Sequence, residues 1–227
     1  MAGYLNRFEN AMNNGYNNAA FFYDRLARLV FGNKLQQAQS LFLHLIPKDA
    51  RVLIVGGGSG WILEELARIH PSSKLSITYV EAAPKMVELA QQRIKSNPAL
   101  SEAPFLTNFI TAPIQDAQLD GHYDVIITAF FFDNFNDHEA GNIVDKLLQH
   151  FAARGQWFYT DFRNSSVTSH KLLLKSMYLF FALICGLTNR RLPDMFRIFD
   201  KHGLVAVHGK ELMNGFIESA VYINNIT

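Results

Sequence analysis

The chain is poor in the residues that would commit it to disulfide or metal chemistry. Its one cysteine, Cys185, sits inside an apolar stretch, so neither a disulfide framework nor a cysteine-based metal site is available. None of its eight histidines has the i, i+4 or carboxylate-flanked spacing of a zinc site, and no metal is expected. Charge of one sign is equally scarce. A formal net charge of +1 lacks the basic surplus of a phosphate-binding surface, which argues against a nucleic-acid partner. The longest apolar run, 177–187, falls short of the roughly 20 residues that span a bilayer, so stable membrane insertion is not expected. The first 18 residues are polar and Asn-rich without the apolar centre of a signal peptide, and a cytoplasmic protein is expected. No Ser-His-acid arrangement, internal repeat or low-complexity linker is visible. What remains is an ordinary globular composition, 49% hydrophobic and 18% charged over 227 residues, enough for one domain with a large core.

Against these absences one stretch stands out, residues 51–66. It opens with Val52, Leu53, Ile54 and Val55, apolar throughout as a strand covered on both faces should be. Gly56, Gly57, Gly58, Ser59 and Gly60 follow, and then Trp61, Ile62, Leu63, Leu66 and Ala67 at helical spacing. Strand, glycine turn and helix together let backbone approach a ligand and aim helix-start N–H groups at it. A dinucleotide fingerprint starting at Gly56 needs its third glycine at position 61, which is Trp61. The spacing present is Gly56-x-Gly58-x-Gly60.

That spacing after a hydrophobic strand resembles the first motif of class I S-adenosylmethionine-dependent methyltransferases. The second strand, 75–80, ends in Glu81, 21 residues after Gly60. In that family an acid there accepts the ribose hydroxyls, and a carboxylate suits two vicinal O–H donors. The phrase Tyr23-Asp24-Arg25-Leu26-Ala27 is similar to the start of the ubiquinone/menaquinone-type, small-molecule branch. The resemblance implies an α/β fold, a three-layer Rossmann-like sandwich. Its sheet would be mostly parallel and seven-stranded, with one antiparallel strand. A helical cap at 1–50 would precede a cofactor-binding domain at 51–227, the whole forming one compact unit. It implies S-adenosyl-L-methionine bound by Gly56, Gly57, Gly58, Ser59, Gly60, Glu81, Ala82, Ala112, Ala129 and Phe130. Two departures stand against it. Ile54 occupies a first-strand position where family members often carry an acid for the cofactor's amino group. The adenine-binding acid is also missing near Ala112-Pro113, with Asp116 the nearest substitute.

The remaining elements are read from periodicity and punctuation. A helix from about Ala19 stops at Gly32-Asn33, and a second, carrying Leu35, Ala38, Leu41, Phe42 and Leu45, ends at Pro47. Helices are expected at 61–70, 84–95, 138–151, 168–187 and 194–201. Strands are expected at 105–111, 123–129 and 156–160, with a final hairpin from 204–208 and 216–223. The carboxyl end of the fourth strand runs into Phe130, Phe131, Phe132, Asp133 and Asn134. Ligands in open α/β sheets sit outside such ends. Burying Asp133 and Asn134 among phenylalanines without partners would be costly. These two and Tyr23 are the candidate substrate contacts, and no catalytic residue is assigned. Asp133, Asp161, His170 and Tyr23 could serve as a general base by location alone.

The expected function is methyl transfer to a small apolar acceptor, by a monomer or homodimer. A non-catalytic methyltransferase-like binding protein and a nicotinamide-dependent oxidoreductase are the alternatives.

Overall fold

In the computed structural model, residues 31–165, 167–175 and 191–225 are described. The first expected helix, Tyr23, the 177–187 run and Cys185 lie outside them, as does most of the 1–50 cap. The elements are α1 (Lys34–Ser40), β1 (Arg51–Val55), α2 (Trp61–Ile69), β2 (Ser76–Glu81) and α3 (Pro84–Ser96). After the short α4 (Pro98–Ser101) come β3 (Leu106–Thr111), β4 (Tyr123–Ala129), α5 (Asp137–Leu148) and β5 (Phe151–Phe162). The last described elements are α6 (Met195–Lys201), β6 (Leu204–Leu212) and β7 (Ile217–Asn224).

The seven strands form one sheet in the order β3-β2-β1-β4-β5-β7-β6. All pairs are parallel except those of β7, which runs antiparallel to both β5 and β6. The apolar run of β1 is explained by its central place, with residues 52–55 all buried. Leu53 and Val55 face a cluster with Ile126, Trp157, Tyr159 and the buried residues of α5 and α6. Val52 and Ile54 face the opposite cluster, with Ile62, Leu63 and Leu66 of α2, Ala90 of α3 and Leu43. Two helical layers therefore sandwich the sheet. A third cluster packs Phe31, Leu35 and Ala38 against Phe162, Phe216 and Ile217. It holds α1 over the end of the sheet that carries the glycine turn.

Local chemistry sets the helix ends. Pro84 occupies the first turn of α3, where a missing N–H costs nothing. Asn136 caps α5 and Glu139 returns the bond to the Asn136 N–H, a reciprocal capping box. The expected helix 138–151 is corrected at its end. It stops at Leu148, and Phe151 belongs to β5. The reason is a change of partner: the His150 carbonyl accepts from Tyr123 N–H at 2.7 Å, and the Phe151 ring covers Gly155, where a Cβ would lie 2.5 Å from it. The fifth strand thus starts earlier than Gln156 and bulges, its register jumping between Tyr123 and Val125 of β4. The second expected helix is also interrupted. It ends at Ser40, and Leu43–Leu45 form a separate 3-10 turn.

The glycine turn locks α2 against α3. Gly60, the first flanking residue of α2, has φ +85°, and a Cβ there would lie 2.7 Å from Ala90 Cβ and 2.9 Å from its Cα. Neither atom is the tip of a flexible side chain. Left-handed backbone costs a non-glycine residue about 1–2 kcal/mol, and overpacking costs about 1–3 kcal/mol more. Gly60→Ala is therefore expected to lose about 2–5 kcal/mol in urea denaturation. A loss below about 1 kcal/mol would show that α3 can yield at this contact.

Candidate functional site

The topology reverses between β1 and β4: the chain goes from β1 outward to β2 and β3, then returns to β4 on the other side of β1. The carboxyl ends of these two neighbouring strands leave a crevice, the usual ligand position of an open α/β sheet. A cavity of about 210 Å³ lies there, walled by Ile54 to Ser59, Trp61, Ile127, Ala129 and Phe130, and roofed by Leu35, Gln36 and Gln39 of α1.

The four glycines of the turn are not equivalent. A Cβ on Gly56 would meet the Phe131 ring at 2.5 Å, one on Gly57 would enter the Tyr79 ring, and one on Gly60 would meet Ala90. At these three positions glycine is required by protein packing. Gly58 alone of the four has φ +62° and nothing within 4 Å of where its Cβ would be. Backbone here is bare toward open space, the property needed for close approach of a ligand.

Glu81, the last residue of β2, faces this turn. Its Oε2 accepts from Gly58 N–H at 3.0 Å and its Oε1 from Ala83 N–H at 2.9 Å. A carboxylate has about four lone-pair sites. Each oxygen accepts one of these bonds, so the carboxylate keeps acceptor capacity for further donors. Burial raises the Glu81 pKa, against the lowering effect of backbone N–H groups of Ala83, Gly58 and Ala82. The turn is held from behind as well: Tyr79 O–H donates to Gly58 O at 2.8 Å, and Arg93 Nε donates to Ser59 O at 3.0 Å.

The end of β4 carries strain. Phe130 lines the cavity with φ +50°, a conformation uncommon outside glycine. It is fixed by its N–H to Thr160 O, 2.8 Å, and by ring packing on Phe162 at 4.9 Å. The next two residues are fixed by Asp161. This carboxylate, only 2% exposed, accepts from Phe131 N–H at 3.2 Å, Phe132 N–H at 2.8 Å and Phe162 N–H at 2.8 Å. Asp161 thereby ties the β4 turn to β5 through three backbone donors.

Of the other residues singled out by sequence, Ser59, Ala129 and Phe130 line the cavity with Gly56, Gly57 and Gly58, whereas Gly60, Ala82 and Ala112 lie outside its wall. Asp133 and Asn134 are also outside it. They bond each other, Asn134 Nδ2 donating to Asp133 Oδ1 at 2.8 Å and to Phe131 O at 3.0 Å. Asp116 is exposed on a turn. His170 stacks on Phe216 at 4.7 Å with Nδ1 beside Ser165 Oγ at 2.8 Å, which makes it a core histidine away from the cavity. Sequence reasoning missed Gln36 and Gln39, which no motif marks and which only the packing of α1 brings to the wall. Among the described residues no group of three or more His, Cys, Asp or Glu could hold a metal, and no helix is long and apolar enough to cross a membrane.

Asp133 and Asp161 influence each other. Burial pushes the Asp133 carboxyl up to about 7; burial also raises Asp161, with Asp133 adding repulsion. Three N–H donors favour the charged form of Asp161 and work against that rise. A carboxyl raised from 3.8 to about 7 on folding holds its proton in the native state after the unfolded chain has released it. Its stabilising contribution is complete below about pH 4 and is lost as pH rises through about 7. Asp133→Asn is expected to flatten this decline and to stabilise the protein by on the order of 1–2 kcal/mol at pH 8. Urea midpoints between pH 5 and pH 8 check it; parallel curves for the two proteins would exclude a titrating Asp133.

Comparison with known proteins follows the same geometry. Residues 52–155 match the family model described as "Methyltransferase domain". A malonyl-[acyl-carrier protein] O-methyltransferase of Bacillus cytotoxicus is 29% identical over 154 residues, covering 66% of this chain and 48% of that protein. Its counterpart in Acetivibrio thermocellus is 30% identical over 111 residues, covering 49% and 35%. The chain thus spans about half the length, or less, of these curated relatives. Among solved structures, an O-methyltransferase family protein from Burkholderia thailandensis superposes with a TM-score of 0.66 at 17% identity, covering 92% of this chain and 58% of that one. The mitomycin 7-O-methyltransferase gives 0.64 at 14% identity, covering 88% and 58%. At such identities the likeness establishes the fold. An O-methyltransferase of neocarzinostatin biosynthesis, solved with S-adenosylmethionine and a naphthoic acid, gives 0.58 at 14% identity, covering 82% and 51%.

Proposed function

We propose that this chain binds S-adenosylmethionine and methylates a small acceptor, on the match of residues 52–155 to a methyltransferase-domain model and on the strand order of the sheet. The observation that carries the reading is the pairing of bare backbone at Gly58 with Glu81, whose carboxylate keeps acceptor capacity for vicinal hydroxyls. When bound, the cofactor supplies the methyl electrophile and a neutral thioether leaving group. The protein's task is then placement. It must hold a nucleophile about 3 Å from the methyl carbon, in line with the breaking bond, and exclude water. Ala129 and Phe130 line the cavity at the end of β4, and the strained Phe130 backbone, held by Thr160, supplies rigidity there.

The described cavity wall contains no carboxylate and no histidine. An acceptor oxygen that is already ionised needs no general base. A carboxylate of a small acyl group satisfies this, and the curated relatives are named for the malonyl group on an acyl-carrier protein. We read the acceptor as such an oxygen nucleophile on a small, largely apolar molecule, free or carrier-linked. A non-catalytic binding role draws support from the apolar Ile54 in the wall. Incubation with methyl-labelled S-adenosylmethionine and a panel of carboxylic and hydroxylic acceptors, read by mass spectrometry, separates the two. Label in an acceptor supports transfer. Tight cofactor binding without label in any acceptor would favour the binding role.

A further inference from the structure

The described wall of the cavity holds four polar side chains, Gln36, Gln39, Ser59 and Arg93, and no negative charge. Arg93 is already engaged: besides its bond to Ser59 O, its Nη1 donates to Glu64 Oε2 at 2.8 Å. Gln36 and Gln39 differ. They stand three residues apart on α1, share one helix face and are half-buried, and their side chains hydrogen-bond to no described residue.

The helix that presents them is fixed. Leu35 and Ala38 are buried in the third core cluster, and the Ala38 carbonyl accepts from Ser219 Oγ at 2.9 Å. Ser219 in turn bonds Thr160 Oγ1 at 3.0 Å inside the sheet. Two amides with unused donors and acceptors are therefore held at fixed positions over the cavity.

A volume of about 210 Å³ is below the roughly 300–1,000 Å³ that encloses a whole drug-sized ligand, so this space accommodates one end of a longer molecule. Glu81 lies outside the cavity wall but is bonded to Gly58 of that wall, and that is where the ribose would be gripped. Resting on the reading that S-adenosylmethionine is the cofactor, we propose that Gln36 and Gln39 hold its amino-acid end. That end is a zwitterion, requiring acceptors for the ammonium and donors for the carboxylate. A primary amide is the side chain that offers both without adding charge. Ile54, a hydrocarbon in the same wall, leaves the ammonium without an acid partner from β1, and the roof helix supplies neutral ones in its place.

Isothermal titration with two ligands tests this. S-adenosylhomocysteine carries the amino-acid end; 5′-methylthioadenosine has the same nucleoside and a thioether but lacks that end. The wild type is expected to bind the first more tightly. Gln36→Leu/Gln39→Leu is expected to weaken S-adenosylhomocysteine about 10–100-fold, two neutral hydrogen bonds' worth, and to leave methylthioadenosine within about twofold. Gln36→Asn and Gln39→Asn, which withdraw each amide by one methylene and spare the fold, are each expected to cost about 3–10-fold on S-adenosylhomocysteine alone. Unchanged S-adenosylhomocysteine affinity, or equal loss for both ligands, would overturn the assignment and leave the cofactor reading standing. A folded wild type that binds neither ligand would overturn the cofactor reading itself.

Discussion

Glu81→Ala is expected to weaken S-adenosylhomocysteine binding by at least about a hundredfold. Two ribose hydroxyls bonded to a carboxylate are charge-assisted, each contributing about 1.5–3 kcal/mol, and alanine removes both. The same substitution strips the Gly58 and Ala83 N–H groups of their acceptor, so the turn loosens where ligand would rest. Glu81→Gln separates these effects. Its single carbonyl oxygen can keep one backbone bond, while its amide presents donors to hydroxyls that can still accept. The glutamine variant should lose less stability than alanine and still bind at least about tenfold more weakly. Titration calorimetry beside thermal unfolding reads both quantities. Binding within twofold of wild type in both variants would remove Glu81 from the cofactor site.

Asp161→Ala carries the largest expected loss of stability, about 3–5 kcal/mol. Three backbone N–H groups, those of Phe131, Phe132 and Phe162, would lose their acceptor in a region sealed from solvent. An orphaned buried donor costs about 1–3 kcal/mol, and water entering the space left by the carboxylate offsets part of the sum. Asp161→Asn retains one acceptor oxygen and brings two donors against existing donors. It should lie between the wild type and alanine. Because the same turn sets Phe130 on the cavity wall, S-adenosylhomocysteine affinity should fall with stability. Urea denaturation measures the first effect. A loss below about 1 kcal/mol would mean that the 131–132 turn finds other acceptors.

What could be read from sequence alone was what local chemistry decides. The apolar run 52–55, the glycine turn and the α2 stripe specify strand, turn and helix within 16 consecutive residues, and Glu81 follows from its place at the end of β2. The seven-stranded sheet with one antiparallel strand was expected and is present. Features set by distant contacts were not legible. That Gly56, Gly57 and Gly60 also stand against Phe131, Tyr79 and Ala90 could not be read, because nothing local reveals those neighbours. Asp161 looked like a possible base because its partners at 131 and 132 lie about 30 residues away. Phe151 satisfied the helical stripe of α5, yet it joins β5 because His150 bonds Tyr123 across the sheet. Gln36 and Gln39 carry no motif, and only the packing of α1 over the turn makes them part of the wall.

The account depends most on how the nucleoside would meet the turn, and a crystal structure grown with S-adenosylhomocysteine tests that directly. The predicted result is density running across bare Gly58, with both ribose hydroxyls within about 3 Å of the Glu81 oxygens and the amino-acid end under α1. Ligand density elsewhere, or a turn that stays empty at saturating ligand with Glu81 still bonded only to Gly58 and Ala83, would contradict it.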